Sequence, residues 1–465
     1  MAGRGHTGGT TGSGQGLERS LENRHIQMMA LGGAIGTGLF MGSGKTISVA
    51  GPSILLVYLI IGLMLFFVMR ALGELLLSNL AYKSFTDFAD DLLGPWAGFF
   101  TGWTYWFCWI VTAIAEVVAI AAYAKFFFPD LPSWIPALVC VGLLLSLNLV
   151  NVRAFGELEF WFAMIKIVAI LALIFVGIAL VATGFTAPSG AKADLANITR
   201  DGLFPTGISG FFAGFQIAVF AFVGIELVGT TAAETRDPET TLPRAINAIP
   251  IRILLFYLGA LAVIMAVTPW KTLSADKSPF VELFVLAGLP AAAAFVNLVV
   301  MSSAASSANS GIFSTSRMLY GLAGKSDAPA AFGKLSSQRV PSNGLYFTGL
   351  CLLGGVLLVY LVPDLGTAFT LVTTLSAVLF MFVWAIILCS YLAYRRTRPA
   401  LHARSAYRMP MGVVMSYVCL AFFAFILVLL TLESDTRMAL LVSPAWFAVL
   451  GGAWAIQRSR RAVPA

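Results

Sequence analysis

The sequence predicts an all-α polytopic membrane protein with twelve transmembrane helices in a five-plus-five inverted repeat, helices 1 and 6 being broken. Three observations carry that expectation. Of 465 residues, 59% are hydrophobic and only 11% charged, with a mean hydropathy of +0.88; soluble domains carry about 25% charged residues. Apolar windows of about 20 residues, the length that crosses a bilayer as a helix, recur twelve times along the chain. The first and sixth windows are interrupted by glycine. Five steps separate them, so they run in opposite directions, as in two inverted halves.

The spans fall near residues 25–48, 53–79, 97–127, 134–151, 155–184, 207–232, 242–268, 291–321, 343–362, 366–394, 411–432 and 440–457. Residues 1–16, rich in Gly, Ser and Thr, read as a disordered cytoplasmic tail. A single transmembrane domain covers 17–457: a repeat at 25–185, its inverted copy at 205–395 and peripheral helices at 411–457, with a cytoplasmic tail at 458–465. The 278–288 stretch after Pro279 reads as a short external helix lying on the membrane. Most of the 29 Lys and Arg fall on one side, among them Arg153, Arg244, Arg317, Arg395 and Arg396. The other side holds Lys45, Lys125, Lys192, Arg200, Lys271, Lys277 and Arg437. By the positive-inside rule both termini are cytoplasmic, and the net charge of +7 needs no nucleic acid to explain it.

Several classes are excluded. The five cysteines lie in apolar spans and read as buried small hydrophobes rather than a disulfide framework. His6, His25 and His402 sit in tails or loops, so no metal site is expected in the membrane. Gly42-Ser43-Gly44-Lys45-Thr46 imitates the end of a phosphate loop, but the motif requires Gly where Leu39 stands. Neither G-x-S-x-G nor H-E-x-x-H occurs, so no hydrolase chemistry is visible and no enzyme is expected.

The first break lies in Gly32–Gly44, six glycines in thirteen positions. Each costs roughly 0.5–1 kcal/mol against Ala in a helix. The pattern predicts a helix that breaks at Gly36-Thr37-Gly38 and resumes at Leu39. Such backbone is tolerated at membrane depth only where it lines a cavity or is buried in protein, and the resumed half points free N–H groups and a positive dipole end at an anion. The second break lies at Phe222-Val223-Gly224-Ile225-Glu226. Two such breaks suit a substrate that is both carboxylate and amine: Ile35, Gly36, Thr37 and Gly38 offer donors, and Phe220, Ala221 and Phe222 offer carbonyls. Gly36, Gly38 and Gly224 allow close backbone approach, and Phe220 and Phe222 suit a lid or, more plainly, packing.

Ionisable residues inside spans are functional candidates. Glu226 sits at the second break, where capping the half-helix is its structural alternative. Glu116 in span three could instead pair near the outer end. Arg70 and Glu74, i and i+4 on span two, read as a structural ion pair. Lys166 lies about twelve residues into span five, too deep to snorkel, and must be paired, neutral or both. The run Ser302–Ser310 on span eight suits tight packing, interhelical hydrogen bonds or the partners of an ammonium.

Specific stretches add to this reading. Asn23-Arg24-His25-Ile26-Gln27, Gly32 to Phe40, Gly73-Glu74-Leu75, Phe160 to Lys166 and Phe222 through Pro238 resemble the bacterial amino acid permeases of the amino acid–polyamine–organocation superfamily, over about residues 17–457. The resemblance implies proton symport of small amino acids into the cytoplasm across the bacterial inner membrane, with no cofactor. It places the family's glycine motif on Gly36, Thr37 and Gly38, and its gate and proton-responsive glutamate on the span-six break and Glu226. It also implies that Lys166, with Ser306 as hydroxyl neighbour, stands where sodium-coupled relatives bind sodium. Lys166, Glu226, Ser306 and Glu116 are thus the expected proton-coupling residues, and the partners are a small amino acid, protons and the lipid bilayer. A permease for proline, an aromatic amino acid or 4-aminobutyrate is an alternative; so is a non-transporting sensor, which the short termini disfavour. Oligomeric state is not encoded in these patterns.

Overall fold

Gly36, in an extended conformation, caps the first described helix. The computed structural model describes residues 35–82, 84–150, 152–230, 237–362 and 364–462. The half of span one before the break and the tail at 1–16 lie outside them. Helices α1 (Thr37–Phe40) and α2 (Gly42–Ala50) are separated only by Met41, which keeps helical φ/ψ. The helix therefore resumes at Thr37, two residues ahead of the expected Leu39. Gly51, at φ +58, ends it, and Pro52 starts the turn into α3 (Ile54–Ser78). Only glycine adopts that φ at little cost.

The chain continues through α4 (Phe85–Leu93), opened by a Ser84/Asp87 capping box, then α5 (Pro95–Ala124), α6 (Trp134–Val150) and α7 (Val152–Ala182). Next come α8 (Gly207–Ala218), a 3-10 turn at Val219–Phe222, α9 (Leu227–Thr230) and α10 (Pro238–Asn247). A π-helical stretch, Ile253–Gly259, leads into α11 (Ala260–Val267). The remainder is α12 (Pro279–Leu286), α13 (Pro290–Gly324), α14 (Ser342–Leu361), α15 (Leu365–Thr397), α16 (Pro399–Arg404), α17 (Gly412–Leu429) and α18 (Ser434–Ala462).

Among the described residues, nine helical stretches are long and apolar enough to cross a membrane. The first, Thr37–Ser78, is interrupted at Gly51 and holds parts of two predicted spans. Two more apolar helices, Trp134–Leu149 and Gly207–Phe222, are shorter; the latter ends early because the second break cuts it. The only pairing of extended backbone described is an isolated bridge between Thr186 and Lys192.

Helix α5 forms the middle of the molecule, packed on α13 and α15 and buried from Ala97 to Ala124 along most of its faces. Helix α7 is the opposite case: Trp161, Val168 and Phe175 stand exposed. In a membrane protein such an apolar rim faces lipid, since the bilayer supplies no penalty for it.

Two expectations are corrected. The 278–288 segment does not lie on the surface. Phe280, Leu283 and Phe284 of α12 are buried, Phe280 meets Phe40 edge-on at 4.8 Å, and the Ser274 and Lys277 carbonyls press on Gly44. This segment lids the resumed half of span one, because its apolar face finds protein closer than lipid. Nor do Arg70 and Glu74 pair. Glu74 is buried and accepts from Tyr391 Oη (3.1 Å), the Met409 N–H (2.7 Å) and His402 Nδ1 (2.5 Å). Arg70 donates to Asn247 and to the Arg408 carbonyl and covers the Tyr407 ring. Helix α15 and the segment that follows it together offer Glu74 three donors, more than one i+4 neighbour supplies.

Candidate functional site

The two breaks cross. A Cβ at Gly38 would lie 2.5 Å from Ala221 Cα and 2.8 Å from the Phe220 carbonyl oxygen, so backbone touches backbone and only glycine fits. Gly36 has no side chain to cap α1; its carbonyl accepts from the Leu39 and Phe40 N–H groups (3.2 and 3.3 Å), and the Thr37 N–H meets Glu116. On the other side, Val223 turns extended and Gly224 takes φ +93, a conformation that favours glycine. The carbonyls of Phe220, Ala221 and Phe222 are not idle. They accept from Val223 N (3.2 Å), Tyr257 Oη (2.9 Å) and Ile225 N (3.3 Å). Each oxygen retains a second lone pair.

Lys166 is fully buried. Its ammonium donates to the Ile35 carbonyl (3.1 Å), the last described residue before the capping glycine, and to Ser306 Oγ (3.3 Å) on α13. Ser303 donates to the same Ile35 carbonyl (3.0 Å). Ser306 in turn donates to Glu159 Oε2 (2.8 Å), and Asn309 donates to Glu159 Oε1 (2.7 Å). Asn148 on α6 closes the chain by donating to Asn309 Oδ1 (2.7 Å). The lysine and serine expected from the sequence are thus adjacent. Glu159 is a residue that sequence reasoning missed. Its signal was present: Glu159 and Lys166 are seven residues apart on one helix, two turns, and share a face.

Glu226 is fully buried between Tyr105 Oη and Trp384 Nε1, both at 3.4 Å and each on a different carboxylate oxygen. Neutral aromatic donors hold it. Phe222 is buried and stacks on Tyr257 (4.9 Å between centroids, 19° between planes), with Tyr58 5.6 Å away. Phe220 meets Phe369 edge-on at 6.1 Å. Tyr257, also missed, lies in the π-helical stretch; such local widening recurs at functional sites and re-aims side chains. Its sequence signal was weak, because a π-bulge has no residue signature. Glu116 is not at an outer end: it reaches the first break, beside Gly36, Thr37 and Ser307. No group of three or more His, Cys, Asp or Glu able to hold a metal occurs among the described residues.

A helical membrane protein in which the glycine-capped start of one helix meets an interrupted helix beside a buried lysine has the build of a secondary transporter. The amino acid permease family matches residues 25–462. The chain belongs to that family; it is a multi-pass membrane permease for amino acids and not an enzyme. It is 67% identical to the D-serine/D-alanine/glycine transporter of Escherichia coli (strain K12) over 96% of each chain. It is 54% identical to an amino-acid permease of Bacillus subtilis (strain 168) over 97% of each. With a DL-alanine permease of Lactococcus lactis subsp. cremoris (strain MG1363) the identity is 42%, over 93% of this chain and 94% of the relative.

Proposed function

We propose that this permease is a proton-coupled symporter importing small zwitterionic amino acids, D-serine, D-alanine and glycine, by alternating access. Its place is the bacterial inner membrane, with both termini cytoplasmic. The substrate range rests on the 67% identity to a transporter of that name and on the narrowness of a crossing where Gly38 meets Ala221. The substrate carboxylate sits at the N–H groups of the first break; Phe220 and Phe222 bound the side-chain space.

The observation that carries the coupling is the Lys166 ammonium on the Ile35 carbonyl and Ser306. A protonated lysine pins the broken end of span one to α13. Losing the proton removes the cationic donor, frees span one and lets the site open inward. Glu226, held by Tyr105 and Trp384, ties the second break to α5 and α15 and responds to the same proton flux.

Uptake of labelled glycine into proteoliposomes tests this. An inward proton gradient is expected to drive accumulation, an uncoupler to abolish it, and D-serine, D-alanine and glycine to compete best among L- and D-amino acids. Accumulation indifferent to the proton gradient would overturn symport. Binding without any uptake would make the protein a sensor.

A further inference from the structure

We infer that Glu116 binds the ammonium group of the substrate and is the residue that separates amino acids from carboxylates lacking the amine. The inference rests on the amino acid reading of the site.

Four observations lead to it. First, position: a Cβ at Gly36 would lie 3.0 Å from Glu116 Oε1 and 3.3 Å from Ser307 Oγ. The carboxylate therefore lies against the first break with no side chain between. Second, a shortage of charge: Glu116 is 1% exposed and is met by the Thr37 and Ser307 hydroxyls and the Thr37 N–H, all neutral donors. Third, contrast of acceptors: the three carbonyls at the second break each hold one donor and keep one lone pair, so they offer partial charge where Glu116 offers a full one. Fourth, charge: Lys166 faces both Glu159 and Glu116, so one cation serves two buried acids.

Burying a carboxylate among neutral donors alone costs free energy. An incoming ammonium supplies the positive charge they do not, in a charge-assisted bond about twice as strong as a neutral one. A ligand without the amine leaves Glu116 as it was. The same group thus favours the right substrate and penalises the wrong one.

The test uses full-length protein in liposomes and counterflow exchange of labelled alanine, which needs no proton gradient. Unlabelled alanine and propionate, its analogue without the amine, serve as competitors. The wild-type protein is expected to prefer alanine by about a hundredfold or more, the scale of a buried charge pair. Glu116→Gln should bring that preference down to about tenfold or less, and Glu116→Asp, which keeps the charge, should restore most of it. If Glu116→Gln keeps the full preference, whether overall affinity falls or not, the inference is overturned, because a structural or purely proton-carrying glutamate would act on both ligands alike. If Gln is not tolerated in the membrane, Glu116→Asp alone decides: preference and affinity both unchanged, despite a carboxylate withdrawn by one methylene, would overturn it. A wild-type protein that exchanges no amino acid would overturn the transport reading itself.

Discussion

The two breaks meet at Gly38 and Ala221, yet they are held in different ways. At the first break, the Ile35 carbonyl is gripped by an ammonium and a hydroxyl, backed by a polar chain from Ser306 through Glu159 and Asn309 to Asn148. At the second, the grip is aromatic: Tyr257 on the Ala221 carbonyl, Phe222 stacked on Tyr257, and Glu226 between a tyrosine and a tryptophan. A charged clamp can be switched by one proton, because ionic bonds in a low-dielectric interior depend steeply on charge state. A stacked clamp depends on contact area and changes little with pH. The asymmetry suits a device in which one break carries the switch and the other stays a shaped wall.

Removing the crossing itself should have the largest effect. Gly38→Val places branched carbon where Ala221 backbone already stands, so labelled glycine uptake is expected to fall to background while the protein remains inserted, checked by membrane fractionation. Wild-type uptake would show that the two breaks need not touch.

Next comes the charged clamp. Lys166→Ala is expected to abolish gradient-driven accumulation while counterflow exchange of glycine persists, since Ser303 still holds Ile35 and Glu159 keeps its two donors. Simultaneous loss of expression and of binding would identify Lys166 as structural. Losing Lys166 leaves the buried Glu159 without the positive charge that acts on it, so thermal unfolding should be followed alongside.

The aromatic clamp should respond by smaller steps. Tyr257→Phe keeps the ring over Phe222 but removes the donor to Ala221, a loss of about 1 kcal/mol and roughly fivefold in half-saturation for glycine, with the pH profile unchanged. A shifted pH profile would erase the distinction drawn between the two breaks.

The smallest effect is expected at an exposed ion pair. Lys45 on α2 pairs with Asp435 on α18 at 2.8 Å, and Asp435 is half exposed. The Lys45 ammonium holds the Asp435 carboxyl below its ordinary value. Such a depressed group adds stability above its unfolded pKa and loses it as pH falls through the folded one. The exposed geometry limits the gain to about 0–1 kcal/mol, less in salt. Asp435→Asn should therefore shift unfolding only slightly at neutral pH and not at all in strong acid.

Local chemistry made much of this readable. Hydropathy marked the helices, because any backbone in lipid must satisfy its own hydrogen bonds. Glycine at 36, 38 and 224 marked the breaks, and the depth of Lys166 in an apolar run marked it as needing partners. Glu159 escaped because it lies near the start of its span, where a charge is unremarkable until its depth in the bundle is known. Tyr257 escaped because nothing in the residues Ile253–Gly259 announces a π-helical turn.

What the sequence determined alone was thus the all-helical, membrane-spanning class, the glycine-marked turns at Gly36 and Gly224 and the presence of a buried cation, all consequences of one segment meeting lipid. The tertiary structure decided who meets whom. It placed Gly38 on Ala221, about two fifths of the chain apart, put Glu159 beside Ser306 and Asn309, turned Glu74 from Arg70 to His402, and folded Phe280 onto Phe40. These pairings join residues far apart in sequence. Several donors compete for each acceptor, and only the packed arrangement of helices sets which one comes within hydrogen-bond reach.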